Sequence, residues 1–328
     1  MALRKWFSFI LLIITLSGLS ACGSQATSSN SLPPLKMGHV PWVGFGAIYI
    51  ADKQDFFEAE KVAVEIMPYQ SYSDLSADFA TRKLDISTTA YADAIAQAAA
   101  GVPLQIVWVF DSSNGGDVVV GSPQISTIED LRGKRIGLEY GTFSHLFVLE
   151  GLKKHGLTEN DVQLVNVTAD QVPQAIASGQ IDAGHTWEPF LSEVVANQGQ
   201  VLFTSAETPG IILDALRVHA AITAQRSGDI QKVMRAIAHA TQWWQANPEA
   251  GNQIVAEALG LSASEIPAIL TGVHLFNLTE NQQAFQPREG LIYKVGEIAI
   301  SLFLNTGIIT QPQELDHLLY AQYLTDLP

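Results

Sequence analysis

Leu104-Gln-Ile-Val-Trp-Val-Phe-Asp-Ser-Ser-Asn-Gly-Gly-Asp-Val-Val-Val-Gly121 places two apolar runs, Leu104–Phe110 and Val118–Val120, on either side of a polar turn carrying Asp111, Asn114 and Asp117. Val, Ile, Trp and Phe suit a pleated, covered surface, so both runs read as buried strands. Gly115 and Gly116 free the turn for positive φ. In open α/β sheets ligands lie beyond the carboxyl ends of the strands, which is where Asp111 is expected. The turn is thus expected to form one wall of a ligand cleft, with the next strand carrying the chain into a second lobe.

Outward from this stretch, strand-like and helix-like segments alternate. Upstream, Lys36–Val40, Ala63–Met67 and Leu84–Thr88 read as strands. Helices are expected over Ile48–Phe57, over Asp74–Lys83 with Ser73 as cap, and over Ala92–Ala100. Downstream, Arg135–Leu138, Gln163–Val167, Ile181–Gly184, Val201–Phe203 and Leu216–Ile222 read as strands, and Gly141-Thr142-Phe143-Ser144 opens a helix. From Asp229 the chain reads as helical. This alternation predicts a mostly parallel α/β sheet. Arg82–Thr89 also echoes Gly179–Thr186: each has a tight turn, an Asp (Asp85, Asp182) and a strand ending in Thr.

At the start, Arg4 and Lys5 precede an apolar run from Trp6 to Leu16 and the sequence Leu19-Ser20-Ala21-Cys22. A basic segment, a short apolar run and small residues make an export signal, too short for a comfortable membrane span. The Leu-Ser-Ala-Cys tetrad resembles the bacterial lipobox, which implies cleavage after residue 21 and a lipidated Cys22. Residues 22–35 then form a Ser-rich tether. The chain has a single Cys, so no internal disulfide is expected. Apolar residues make up 47% and charged residues 16%, a globular composition. The formal charge is −15, and beyond the signal 16 basic residues face 33 acidic ones. That balance argues against nucleic acid and favours a cationic or zwitterionic ligand over an anion.

Trp42 with the Gly44–Tyr49 loop, Asp130-Leu131-Arg132-Gly133-Lys134, Gly141–His145, Gly179–Ala183 and Thr186-Trp187-Glu188-Pro189 together resemble the solute-binding proteins of bacterial ABC importers in the nitrate, sulfonate and taurine group. The resemblance implies a two-lobed, type II periplasmic-binding-protein clamshell, crossed twice by the chain. Crossings are expected near Val119–Gly121 and Leu216–Ala220, giving lobe one as 36–119 and 220–328, with a helical C-terminal extension, and lobe two as 120–219. It also implies an extracytoplasmic receptor partnered by a permease and an ATPase; a monomer is expected. Asp111–Asp117 looks most like the corresponding segment of urea-carboxylase-region receptors, linked to guanidine- and urea-type compounds.

A clamshell site takes groups from both lobes. Lobe one offers Trp42, Ser73, Thr89, Tyr91, Asp111 and Asp117; lobe two offers Thr142, Ser144, His185, Trp187 and Glu188. Asp111 and Glu188 can each accept paired N–H donors from a planar cation, and Trp42, Tyr91 and Trp187 can stack on it. The competing roles are structural: Trp187 as core, Glu188 as a cap, Asp117 as a turn holder. The start of the helix at Gly141–Ser144 keeps an anion alternative open, so sulfonate, taurine, nitrate or a pyrimidine precursor of thiamine is the second choice of solute. His145 and His185 lack metalloprotease spacing, so neither metal nor cofactor is expected. Without a Gly-x-Ser-x-Gly elbow or a His-Glu-x-x-His motif, an exported enzyme is the weaker alternative, beside an exported sensor.

Overall fold

The computed structural model describes residues 32–325 and 327. The expected signal, Cys22 and most of the tether lie outside the described residues. From Pro34 onward the chain forms one compact unit. Its first part runs β1 (Leu35–His39), α1 (Gly46–Lys53), β2 (Val64–Pro68), α2 (Tyr72–Ala80), β3 (Ile86–Ala90), α3 (Tyr91–Ala99) and β4 (Leu104–Ser113). A second part follows with β5 (Val118–Gly121), β6 (Arg135–Leu138), α4 (Phe143–Lys154), β7 (Gln163–Asn166), β8 (Ala183–Thr186), α5 (Phe190–Ala196) and β9 (Gln200–Thr204). The chain then returns through β10 (Leu213–His219), α6 (Ser227–Ala246), α7 (Pro248–Leu259), β11 (Val273–Leu275) and α8 (Leu291–Thr306).

The strands form two sheets, one per lobe: β11-β4-β10-β3-β1-β2 and β7-β6-β8-β5-β9. Within each, the strands that follow helices pair in parallel, β1 with β2 and β3, and β6 with β7 and β8. The strand that enters from the other lobe is antiparallel: β10 against β3 and β4, β5 against β8 and β9. This is the expected two-lobed clamshell. Every residue of β3 and β10 is buried, as a sheet covered by helices on both faces requires.

Both crossings come earlier than expected. The chain leaves the first sheet after Ser113 and returns to it at Leu213, not near Leu216–Ala220. Residues 213–219, expected in lobe two, belong to the first sheet because their backbone completes the ladder between β3 and β4. The two crossing segments are tied together. Ser205 Oγ lies 2.8 Å from Ser113 Oγ and accepts from Gly115 N–H at 2.7 Å, and Ser113 Oγ accepts from Asp117 N–H at 3.0 Å. Gly115, at φ 115°, makes the turn a residue with a side chain would resist.

The internal echo is structural. Arg82 and Gly179 both take a left-handed turn, at φ 61° and 70°. Asp85 and Asp182 then accept the N–H of a residue in the neighbouring parallel strand, Lys36 and Arg135. In lobe one, the Trp244 ring of α6 fills the space over Gly46 of α1 and Gly251 of α7, so the C-terminal helices lock onto the first. The cap of α2 is Ser71, whose side chain accepts from Asp74 N–H; Ser73, the expected cap, lies inside the first turn.

Candidate functional site

The topology brings one edge of each sheet to the cleft. In lobe one that edge holds the carboxyl ends of β1, β3 and β4 and the amino end of antiparallel β10. In lobe two it holds the ends of β6 and β8 and the start of β5. Asp111 and Asp214 are Cα partners on β4 and β10, and the start of β5 is paired with the end of β8 through Val118 and Thr186. Asp111 lies within β4, which runs on to Ser113, and not in the turn where it was expected.

Asp111 is fully buried and accepts from Trp42 Nε1–H on both oxygens, at 3.2 and 3.1 Å. Gly44 makes this approach possible, since a Cβ there would sit 1.9 Å from Asp111 Oδ2. Gly44→Ala is expected to cost about 1–3 kcal/mol by overpacking. Urea denaturation measures this, and an unchanged midpoint would mean that the loop yields freely. Beside Asp111, Asp214 accepts from the Tyr72 hydroxyl at 3.2 Å. His185 joins Asp117 (Nε2 to Oδ1, 3.0 Å) to the Ser144 hydroxyl (Nδ1 to Oγ, 2.8 Å). With Nε2 donating to the carboxylate, Nδ1 accepts from Ser144. Ser144 Oγ in turn accepts from Glu139 N–H.

Several bonds cross between the lobes. Trp187 Nε1–H donates to Pro41 O at 3.2 Å, Phe143 N–H donates to Asp93 Oδ1, and the Ser73 hydroxyl donates to Glu139 Oε1 at 2.7 Å. Tyr72 of lobe one sits edge-on to Phe143 and Trp187 of lobe two, at 5.3 and 6.0 Å between ring centroids. These contacts shut the cleft over its acids.

The electrostatics are unusual for a protein interior. Asp93, Asp111, Asp117, Glu139 and Asp214 are all buried. Burial holds the carboxyls of Asp111 and Asp214 well above the usual carboxylate range, and Asp117 nearby pushes both further up. Burial raises Glu139, against its bonds from Ser73, and lifts Asp93 to about 7, against its bond from Phe143 N–H. Arg217 is fully buried as well, but its N–H groups go to Ser87, Gln97 and Ser76, and burial pulls its guanidinium down to about 10. The acids therefore outnumber the cations that face them.

A raised carboxyl keeps its proton in the folded protein at a pH where the unfolded chain has lost it. The stability it contributes is thus full at low pH and declines as pH rises, through about 7 for Asp93. His39, His145 and His219, whose imidazoles burial holds low, act in the opposite sense. The expected observable is therefore a difference: Asp93→Asn, which mimics the protonated acid, gains melting temperature relative to wild type as pH rises from 5 to 8. A constant difference would contradict the assignment.

Of the expected site residues, the structure brings Trp42, Ser73, Asp111, Asp117, Ser144, His185 and Trp187 into this bonded set. Thr142 serves it indirectly by capping α4, accepting from Ser144 N–H. Tyr91 is placed elsewhere, and Glu188 and Thr89 have local partners. The Tyr91 hydroxyl meets Gly296 of α8 inside lobe one, because α3 starts at Tyr91 and turns the ring toward that helix. Both Glu188 oxygens accept from Ser192 at the start of α5, one from its N–H and one from its hydroxyl, the local role weighed against ligand contact. The Thr89 hydroxyl donates to its neighbour's carbonyl, Ala90 O. Asp117 does not hold the Gly115–Gly116 turn with its side chain; the hydroxyls of Ser113 and Ser205 do. His145 lies near Glu159 and Tyr140, apart from His185, and among the described residues no group of His, Cys, Asp and Glu is placed to hold a metal ion.

Tyr72, Asp93, Glu139, Asp214 and Arg217 were not anticipated. Asp214 and Arg217 did carry a signal, being the two charges in the otherwise apolar Leu213–Val218.

Comparison with known proteins agrees with this architecture. The family model described as NMT1/THI5 like matches residues 42–251. A candidate aliphatic sulfonates-binding protein of Bacillus subtilis (strain 168) is 23% identical over 283 residues, covering 82% of this chain and 83% of its own. The taurine-binding periplasmic protein of Escherichia coli (strain K12) is 24% identical over 159 residues, 48% of this chain and 49% of its own. Among solved structures, the alkanesulfonate-binding protein SsuA from Xanthomonas axonopodis pv. citri, bound to MOPS, superposes with a TM-score of 0.73 at 17% identity, over 88% of this chain and 98% of that one.

Proposed function

Because the chain belongs to the NMT1/THI5-like family, we propose that it is the solute-binding component of an ABC importer and that its solute carries a cationic nitrogen group, guanidine- and urea-type compounds first. Relatives named for solute binding support the receptor role. The receptor works outside the cytoplasm, anchored through lipid at Cys22, and hands its solute unaltered to a permease driven by an ATPase.

One observation carries the choice of solute: Asp111 and Asp214 lie side by side, fully enclosed, with Asp117 close by. Buried like charges cost several kcal/mol when unpaired, and a planar cation can donate charge-assisted bonds to them from two edges. Closure over such a guest replaces protons on the carboxyls with a fixed positive charge, so affinity for it rises with pH. A bound cation is favoured by the closed state alone, because only closure brings the acids of both lobes to it.

The second reading is a zwitterionic sulfonate such as taurine, which the names of the relatives favour. Its ammonium group suits the same acids. Its sulfonate needs donors, and the expected anion position at the start of α4 already holds the carboxylate of Asp93. A thermal-shift screen with guanidinium, urea, taurine, alkanesulfonates, nitrate and thiamine precursors tests the choice. A ligand at a hundred times its dissociation constant adds about 2.7 kcal/mol. Stabilisation by simple alkanesulfonates without any by guanidinium would reverse the order.

A further inference from the structure

We infer that Asp93 is a specificity-determining residue: its carboxylate fills the anion position at the amino end of α4 and bars solutes that carry a sulfonate or similar group from docking there. The inference rests on the proposed placement of the solute between the lobes.

The first N–H groups of a helix have no partner within it and carry the positive end of its dipole, so they attract anions. In α4, Thr142 takes the N–H of Ser144, and the N–H of Phe143 points across the cleft. There it meets Asp93 Oδ1 from α3 of the opposite lobe. Asp93 is only 5% exposed, and its second oxygen, Oδ2, has no hydrogen-bond partner among the described residues. An enclosed carboxylate with one oxygen unmatched is costly, and the residues near it show what compensates. The Arg217 guanidinium is fully buried, bonds only neutral side chains, and is the cation whose charge favours the ionised form of Asp93.

The position thus has a helix N–H aimed across the cleft and the positive end of a helix dipole, both of which suit a bound anion. In this chain Asp93 supplies that anion once the pH passes about 7, where its carboxyl gives up its proton. A solute's anionic group arriving there would have to displace it or lie against it, and like charges at close range in a dry site are strongly disfavoured. A cation meets no such barrier.

The test is calorimetric titration of the full chain and its variants with sodium methanesulfonate and, separately, guanidinium chloride. Asp93→Ala and Asp93→Ser vacate the position. Each is expected to bind methanesulfonate at least about tenfold more tightly than wild type. Asp93→Asn removes the charge but keeps an oxygen for Phe143 N–H, and is expected to gain only severalfold. Cooperative melting shows which variants are folded, and Asn carries the test should both truncations fail to fold. Folded variants with no gain, or a wild type that binds methanesulfonate as tightly as they do, would overturn the inference. The guanidinium arm separates the two readings. A wild type indifferent to guanidinium, with variants that gain methanesulfonate, removes the cationic solute and keeps the role of Asp93.

Discussion

Asp111→Asn is expected to weaken binding of a guanidinium-type solute at least about 30-fold, near 2 kcal/mol, while leaving thermal stability unchanged or raised. The two effects part because the carboxyl is a liability in the empty protein and an asset in the complex. It is wholly enclosed beside Asp214, and burial penalises its charge. An amide keeps the shape, still accepts from Trp42 Nε1–H and carries no charge. With a cation present, the same amide forfeits one charge-assisted partner and leaves Asp214 and Asp117 to balance the guest alone. Calorimetry and differential scanning fluorimetry on the same preparation read both numbers. A variant that binds as well as wild type would remove Asp111 from the site, whatever its stability.

The second large effect belongs to Trp187→Ala. Burying an indole and then deleting it costs about 3–5 kcal/mol in a core. Here the ring is 4% exposed, is packed by Tyr72, Phe143 and Phe190, and is bonded to Pro41 O. Two of these partners, Tyr72 and Pro41, lie in the opposite lobe, so much of the loss falls on closure and not on either lobe's own fold. The variant should therefore lose solute affinity by at least about 30-fold and fall in melting temperature by less than an ordinary core deletion of that size. A fall in stability with intact affinity would make Trp187 plain core.

Much of this arrangement was legible in the residues. Alternating strands and helices indicated parallel pairing, and Arg135–Leu138 was placed to the residue because Gly133-Lys134 and the turn after Leu138 bound it on both sides. The Asp85 and Asp182 echo could be seen in a few residues because each half needs the same tight turn and the same carboxylate against a neighbouring strand. Asp111, Trp42 and His185 stood out as polar or aromatic groups at the ends of apolar runs. The crossings were misplaced because strand propensity does not say which sheet a strand joins; the ladder with β3 and β4 decides that for Leu213–His219. Asp93 was hidden for a related reason. In Tyr-Ala-Asp-Ala-Ile-Ala-Gln it reads as an ordinary helix acid, and only the approach of the other lobe gives it a partner at Phe143. Glu188 left both roles open, since a carboxylate next to a Trp suits a ligand as well as it suits a cap.

The central claim is that closure sets a cationic group against carboxyls that hold protons when the cleft is empty. Titration calorimetry with guanidinium chloride, run at one pH in two buffers of different ionisation enthalpy, tests it most directly. Saturable one-to-one binding whose apparent enthalpy changes with buffer, reporting protons released into solution, is the predicted result. Binding with no proton release, or saturable binding of methanesulfonate where guanidinium gives none, would contradict it.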